Sequence, residues 1–224
     1  MESIMSSPVP LFLEDEVPAQ REKRFPSRQR GRVFDLTEAI ERMIAAGYHE
    51  AVGKGPAAYR RLWPKQVEQP RVYAGRFDHA LLVDRAVGLR DLVACGKIIS
   101  YAPMEECRDL IAAPAVKGKP LVRYILFFQD GAKHLGRCSE TCRRRFRKDE
   151  AGLVLREGLH LAVQHEAILR HHAVDFAGTQ WDRFDAPYLY WFDLPEPRLR
   201  AHVMPARLPR WGSASRGARI VPVT

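Results

Sequence analysis

The sequence predicts a mixed α+β fold, a single domain with a small, mostly central sheet flanked by helices. Short apolar runs typical of buried strands are interleaved with segments whose apolar residues recur at helical spacing. Of the 224 residues, 46% are hydrophobic, and a chain of this size buries a full core without disulfides or metals. Neither an internal repeat nor a linker-like stretch divides residues 33–224, so we predict one domain there.

The predicted domain begins with two helices. Asp35 and Glu38 have the spacing of a capping box, and Gly47 is suited to end the first helix. Pro56 is suited to begin the second. One face of the first helix carries its apolar residues, Leu36, Ile40, Met43 and Ile44.

Strands and helices then alternate through the middle of the chain. Periodicity and turn residues predict a strand at 79–85, a helix at 86–96, a strand at 97–103 and a helix at 104–113. Residues 119–131 are apolar on both faces from Leu121 to Phe128, which is typical of a central strand. Asp130-Gly131 predicts a turn into a short strand at 132–135.

The second half of the chain adds two helices and two strands. A basic helix is predicted at 139–150 with Ser139 as its N-cap, and a longer helix at 155–172. The stretches 185–194 and 198–204 predict strands.

Residues 1–32 show no periodicity and end in the basic stretch QREKRFPSRQRGR. We predict a disordered or loosely docked basic tail, which is either solvated or an arm that contacts nucleic acid or a protein partner. The chain has no apolar run of the roughly 18–20 residues that a membrane span needs, and no basic region precedes its first apolar residues. Its four cysteines do not form a disulfide framework, so the sequence predicts a reducing cytoplasm.

The net charge of +9 favours anionic partners. Arg supplies 28 of the 36 basic residues, and its planar guanidinium makes bidentate contacts with phosphate or carboxylate. A GC-rich genome encodes the same excess without a chemical role, and both explanations stay open.

The sequence predicts neither a metal nor a cofactor. Cys138 and Cys142 have no second ligand pair, so buried free thiols explain all four cysteines more simply. His160 and His165 are five residues apart and lie on different sides of a helix. The chain also lacks the G-x-S-x-G, P-loop and G-x-G-x-x-G patterns.

Two Arg-rich stretches predict a binding module for an anionic partner such as nucleic acid. The first surrounds Phe146, and the second, from Arg198 to Arg219, contains six arginines, no acidic residue and a tryptophan. The predicted anion-binding residues are Arg143, Arg144, Arg145, Arg147, Arg210, Trp211, Ser213, Ser215, Arg216 and Arg219. A solvated basic face is the alternative.

An enzyme or small-ligand protein is a second hypothesis, with a pocket under the loop Trp211–Ser215. Glu157 or His165 would be its acid or base, and Ser213, Ser215 and nearby backbone amides would hold an oxyanion. Because Glu157 and His165 lie about 12 Å apart along a helix, at most one of them would be catalytic. A third hypothesis is an assembly protein whose residues 1–32 dock on a partner. The sequence does not decide whether the protein is an enzyme.

The chain resembles an uncharacterised bacterial family, a domain of unknown function. Arg156–Leu159 occupies the place of the family's EG-x-x-L helix, and His165-Glu166 the place of its His. Gly178-Thr179 matches its small-residue turn, and Ala186–Leu189 matches its "VPALW" strand. Trp211–Ser215 matches its closing W-x-GSAS motif. Glu166 replaces the family's proline, and Val154 replaces its threonine. The resemblance implies a bacterial cytoplasmic domain that includes the closing motif, and implies no reaction.

Within the closing motif, we predict that Trp211 packs into the core and that Gly212 allows a tight turn. Ser213 and Ser215 are expected to bond to the local backbone. Arg216 and Arg219 either hold an anion or pair with acidic residues.

Overall fold

A computed structural model describes residues 31–182, 185–201 and 209–223. The predicted tail lies outside these ranges except for its last two residues. The end of the predicted strand 198–204 also lies outside them. The fold is mixed α+β and forms a single body, as the sequence predicts. Two five-stranded sheets take the place of the single small central sheet that we expected.

The described residues form seven α-helices: α1 (Thr37–Ala45), α2 (Tyr48–Ala51), α3 (Pro56–Arg60), α4 (Leu89–Cys95), α5 (Ser139–Arg145), α6 (Leu155–Gln164) and α7 (Glu166–His171). The strands of the same ranges are β1 (Val33–Asp35), β2 (Gln66–Glu68), β3 (His79–Asp84), β4 (Ile99–Ser100), β5 (Arg108–Asp109), β6 (Ala115–Val116), β7 (Lys119–Pro120), β8 (Arg123–Gln129), β9 (Glu150–Gly152), β10 (Ala173–Asp175), β11 (Thr179–Gln180), β12 (Pro187–Tyr190), β13 (Arg198–Ala201), β14 (Trp211–Ser213), β15 (Ser215–Gly217) and β16 (Val221–Val223). None of the helices in these ranges has the length and apolarity to cross a membrane.

The first sheet, the β8 sheet, is built around the most apolar strand of the chain. β3 pairs antiparallel with β8 from His79↔Phe128 to Asp84↔Arg123. On the other side of β8 lie β15 and β16, and β9 pairs with β15. Leu81 and Leu82 are fully buried, as are the four β8 residues from Ile125 to Phe128. The predicted central strand is therefore confirmed.

Side chains at the end of α6 make hydrogen bonds with the backbone of β3, along the edge of β3 that does not pair with β8. Gln164 accepts a hydrogen bond from the Leu82 amide at 3.0 Å and donates to the Leu82 carbonyl at 2.7 Å. His165 Nε2 lies 2.8 Å from the Ala80 carbonyl. The His165 backbone leaves the helical region, with φ −135° and ψ 45°, so the single helix predicted at 155–172 is interrupted there.

The second sheet, the β12 sheet, has the order β14-β10-β12-β13-β4. β12 is antiparallel to β10 and β13, whereas β14 and β4 join the edges in parallel. Its inner face is fully buried in the core and carries Val174, Leu189 and Leu199.

The segment 211–217 belongs to both sheets. β14 pairs with β10 in the β12 sheet, and after the buried Ala214 the chain continues as β15 in the β8 sheet. Gly212 lies within a strand rather than at the predicted tight turn. A Cβ on Gly212 would collide with the backbone of Gly131, so this glycine permits a close approach of two chain segments. The closing motif therefore joins the sheets.

Gly47, Pro56 and Gly96 act as predicted at helix ends: Gly47 is left-handed, with φ 88°, Pro56 opens α3, and Gly96 follows α4. The predicted capping box at Asp35 is only half formed. Asp35 accepts from the Thr37 amide, but Leu36 is the N-cap residue of α1.

Two predicted elements are wrong. The helix expected at 104–113 is a short 3-10 turn, Met104–Glu106, followed by β5, because β5 pairs with β11 and Asp109 accepts a hydrogen bond from Thr179. The strand expected at 132–135 is the 3-10 turn Ala132–His134, since the left-handed Gly131 redirects the chain.

Candidate functional site

The outer face of the β12 sheet combines aromatic and basic side chains. Tyr188 is paired in register with Asp175 on one side and with Arg200 on the other, and Tyr190 is paired with Arg198. Paired residues and residues two apart point to the same face of a sheet. Trp211 joins this face because Ser213, two residues on, is paired with Asp175.

The aromatic rings on this face form a continuous row. The Tyr188 ring lies 4.1 Å from that of Trp211 and 5.9 Å from that of Tyr190, which lies 5.7 Å from that of Phe192. Tyr188 is buried at the base of the row, whereas the other three rings are partly exposed. Trp211 is thus a half-buried surface residue, and the prediction that it packs into the core is wrong.

Arginines stack on the ends of this row and beside it. The guanidinium of Arg210 lies 4.5 Å from the centre of the Phe192 ring, and that of Arg200 lies 5.0 Å from the Tyr101 ring. Both arginines are exposed, and Tyr101 is 56% exposed. Arg198 Nε is buried without a hydrogen-bond partner among the described residues. The face therefore offers cations and ring surfaces within reach of each other.

The basic helix α5 packs over one end of this face. Ser139 is its first residue rather than the predicted N-cap, which is Cys138. Ser139 Oγ donates to Asp175 at 3.0 Å, and Arg143 Nε donates to the Ala177 carbonyl at 2.7 Å. Phe146 is half-buried against the His134 ring, at 5.7 Å.

The arginines predicted around Phe146 divide into two groups. Arg143 is half-buried and bonded to backbone carbonyls, so it holds α5 in place. Arg144 pairs with Glu140, and Arg145 and Arg147 are exposed. The exposed members add positive charge beside the aromatic row.

The predicted serines of the closing motif are not surface ligands. Both hydroxyls are buried, and they donate to carboxylates, Ser213 to Asp175 at 3.4 Å and Ser215 to Glu150. The expectation that they bond to the local backbone is wrong, because the hydroxyls donate to the carboxyl groups of Asp175 and Glu150 instead. Arg219 is exposed, whereas Arg216 is 5% exposed.

Arg216 pairs with Glu157 inside the protein. Arg216 Nε lies 2.9 Å from Glu157 Oε1, and the Tyr124 hydroxyl donates to the same carboxylate at 3.1 Å. Glu157 also caps α6 by accepting from the Val154 amide at 3.0 Å. Burial raises the pKa of Glu157, and the positive charge of Arg216 opposes that rise.

His165 is engaged in the core. Its Nε2–H donates to the Ala80 carbonyl, and its ring packs against those of His79 and Phe128, at 5.5 and 5.2 Å. Burial lowers the pKa of His165 to about 4. The imidazole is neutral at physiological pH, and its Nε2 is already used by the backbone.

Asp175 is a buried carboxyl group that lies beside Tyr188 in register and in contact with α5 through Ser139. Burial raises its pKa to about 7, although the Ser139 and Ser213 hydroxyls and Arg143 oppose the rise. Cys142, the buried member of four free cysteines, lies next to it. The other three, Cys95, Cys107 and Cys138, are half-buried, so the prediction of buried thiols is confirmed for Cys142 alone.

Asp175→Asn is expected to change stability with opposite signs at high and low pH. Between pH 3.8 and about 7 the folded state keeps the Asp175 proton and the unfolded state loses it. The wild type therefore loses stability as the pH rises through this range, and the full loss is present above pH 7. A pKa raised from 3.8 to about 7 corresponds to a cost of roughly 4 kcal/mol, and the amide NH2 that Asn buries costs about 1–3 kcal/mol. The variant should gain about 1–3 kcal/mol at pH 8 and lose a similar amount at pH 4.

Urea unfolding at both pH values measures this effect. The exposed Asp193→Asn is the matched control and should change neither value. A variant that is destabilised equally at pH 4 and pH 8 would show that Asp175 is ionised throughout that range.

Comparison of the chain with known protein families, with curated proteins and with solved structures finds no match. The resemblance described above therefore stays an expectation, and the assignment of a function depends on the geometry of the site.

Sequence reasoning missed the residues at the centre of the face, which are Tyr188, Tyr190, Phe192, Arg198 and Arg200. The sequence does contain a signal for them. Tyr188, Tyr190 and Phe192 are spaced two apart, as are Arg198 and Arg200, and residues two apart in a strand share one face. The sequence had identified the Arg-rich stretch but not its alternation.

Proposed function

We propose that the protein is a cytoplasmic binding module for single-stranded nucleic acid, which lies across the outer face of the β12 sheet. The observation that carries the proposal is the partly exposed aromatic row, with arginines stacked on the rings at its end and beside it. Proteins that bind single strands combine ring platforms for the bases with cations for the phosphates.

Charge supports this assignment. The carboxyl group of Asp175 is buried in contact with α5, so at the described register positions of this face the exposed charges are positive. The exposed arginines of the α5 segment extend the positive surface beyond the sheet. A net charge of +9 favours approach of any polyanion, but only a ligand with flat, stackable groups would also use the rings.

The shape of the site favours a single strand over a duplex. Five strands at about 4.8 Å spacing make a face roughly 20 Å wide, which suits a few unpaired nucleotides. In a duplex the base faces are stacked on each other and are not free to contact Tyr190 or Phe192.

Fluorescence anisotropy with a labelled 12-nucleotide oligouridylate tests the proposal. We expect binding at 50 mM salt that weakens as salt rises, with a slope that falls by about 0.7 for each phosphate-contacting arginine removed. Arg200→Gln should lower the slope, and Tyr190→Leu should weaken binding about 5- to 100-fold, since stacking contributes about 1–3 kcal/mol per base. Tyr190→Phe should bind like the wild type because it keeps the ring.

Arg71→Gln is the matched control, because Arg71 is exposed and its loss changes the net charge equally. Absence of binding at 50 mM salt would refute the proposal. So would equal binding of a 12-residue oligoglutamate, since that would show recognition of charge alone. If Tyr190→Leu and Arg200→Gln bound as tightly as the wild type while Arg145→Gln did not, the interface would be α5 and not the sheet.

A further inference from the structure

A small cavity of about 40 Å³ lies beside the buried Glu157–Arg216 pair, away from the proposed nucleic-acid face. Arg85, Arg156 and Tyr124 contribute polar groups to its lining, and the loop 111–114 contributes apolar ones. The residues of this loop are exposed or half-exposed, so the cavity lies close to the protein surface. A water needs about 10–15 Å³ by this measure, so the cavity holds roughly three water-sized groups.

The charges around the cavity do not cancel locally. Glu157 is neutralised by Arg216 and is fully occupied by the Tyr124 hydroxyl and the Val154 amide. Asp109, the other carboxylate in the wall, accepts a short hydrogen bond from the Thr179 hydroxyl at 2.6 Å. Arg85 and Arg156 form no ion pair among the described residues, and together with the negative charge of Asp109 they leave the lining with a formal net charge of +1.

Arg85 and Arg156 keep most of their donors free. Arg156 Nη1 donates to the Val87 carbonyl, and Arg85 Nη1 lies 3.4 Å from the Leu121 carbonyl. Each guanidinium carries five N–H donors, so at least three on each have no partner in the described structure. Burial lowers the pKa of Arg156, and the nearby charge of Arg85 lowers it further, while Asp109 and Asp84 oppose the shift.

We propose that this cavity binds the carboxylate group of a small organic acid between Arg85 and Arg156. A carboxylate has three heavy atoms, which matches the three water-sized positions, and its two oxygens match the paired N–H groups of a guanidinium fork. Tyr124, the Glu157–Arg216 pair and the loop 111–114 line the rest of the site. The site does not depend on the proposed nucleic-acid function.

Titration of the full chain with sodium acetate, against sodium chloride at matched ionic strength, tests this site. We expect saturable binding by calorimetry and by line broadening of ¹³C-labelled acetate in NMR spectra. Arg156→Gln should weaken acetate binding at least tenfold, and Arg156→Lys should weaken it nearly as much because it keeps the charge but loses the fork. Arg71→Gln, an exposed arginine elsewhere, should bind acetate like the wild type.

Circular dichroism of each variant shows whether it is folded, and Arg85→Gln is the second variant if Arg156→Gln does not fold. Non-saturable broadening of the acetate signal, or wild-type affinity in the folded arginine variants, would overturn the proposal. Binding of inorganic phosphate with no binding of acetate would also overturn it, because the ligand class would then be wrong. None of these outcomes bears on binding to oligouridylate.

Discussion

Glu157→Ala is expected to lower the free energy of unfolding by about 3–5 kcal/mol, because it leaves a buried guanidinium without its counter-charge. The Glu157 side chain is fully buried, and that of Arg216 is 6% exposed. The substitution also removes the acceptor of the Tyr124 hydroxyl and of the Val154 amide at the start of α6. Three buried donors would lose their partner at once.

Urea unfolding measures the loss, and a double variant separates charge from packing. In Glu157→Leu/Arg216→Met both charges are absent, and we expect most of the stability to return, as apolar replacements of buried ion pairs commonly show. Glu38→Ala is the control, because Glu38 and its partner Arg42 are 79% and 41% exposed and such a pair contributes about 0–1 kcal/mol. A Glu157→Ala variant as stable as Glu38→Ala would contradict a buried ion pair.

This pair marks the limit of what the sequence could predict. The spacing of Val154 and Glu157 is that of a helix start, and the capping interaction follows from local rules. The partner of Glu157 is 59 residues away, and it reaches the carboxylate only because β15 joins the β8 sheet. The sequence left Arg216 open between an anion and an acidic partner, and the long-range strand pairing decides in favour of the acidic partner.

The helices and strands likewise divide into those that local sequence predicts and those that depend on long-range contacts. The central strand β8 was predictable from its sequence. A short run that is apolar on both faces is typical of a strand that is buried on both sides. The break at His165 was not, because the helical pattern continues through it. The bonds that the side chains of Gln164 and His165 make to the backbone of β3 are long-range and have no local signal. The interruption is a tertiary effect on a sequence with good helical periodicity.

The aromatic row depends on tertiary pairing as well. Each strand that contributes to it shows its own alternation, but the approach of Trp211 to Tyr188 requires β10 to lie between β14 and β12. Composition therefore identified the basic and aromatic residue types of this face, and the order of strands determines which of them share a surface.

Acidification is expected to destabilise the protein strongly between pH 6.5 and about 3, because the buried His160 and the half-buried His165 resist protonation. Burial lowers the pKa of His160 to about 3 and that of His165 to about 4. Neither ring nitrogen of His160 has a hydrogen-bond partner of normal geometry among the described residues. The unfolded chain takes up these protons near pH 6.5, so it binds more protons than the folded state through this range and stability falls as the pH falls.

The loss of stability due to the two histidines is large, but the titration of Asp175 offsets part of it because it stabilises the folded state as the pH falls. Lowering the pKa from 6.5 to about 3 at His160 corresponds to roughly 5 kcal/mol, and lowering it to about 4 at His165 corresponds to roughly 3 kcal/mol. Asp175 is protonated in the folded state below about pH 7, so its titration favours folding as the pH falls and offsets part of this loss. The histidine contribution should therefore be measured in the Asp175→Asn background.

In that background, His160→Leu should flatten the dependence of unfolding free energy on pH below 6.5, because it removes the larger of the two shifts. Leu has a similar volume, and the replaced ring has an apolar environment next to the Tyr48 ring, 5.3 Å away. His171→Gln is the control, since His171 is exposed and its loss should leave the curve unchanged. If His160→Leu kept the full slope between pH 6.5 and 4, the slope would have to come from His165. A second measurement on His165→Gln would then show the flattening.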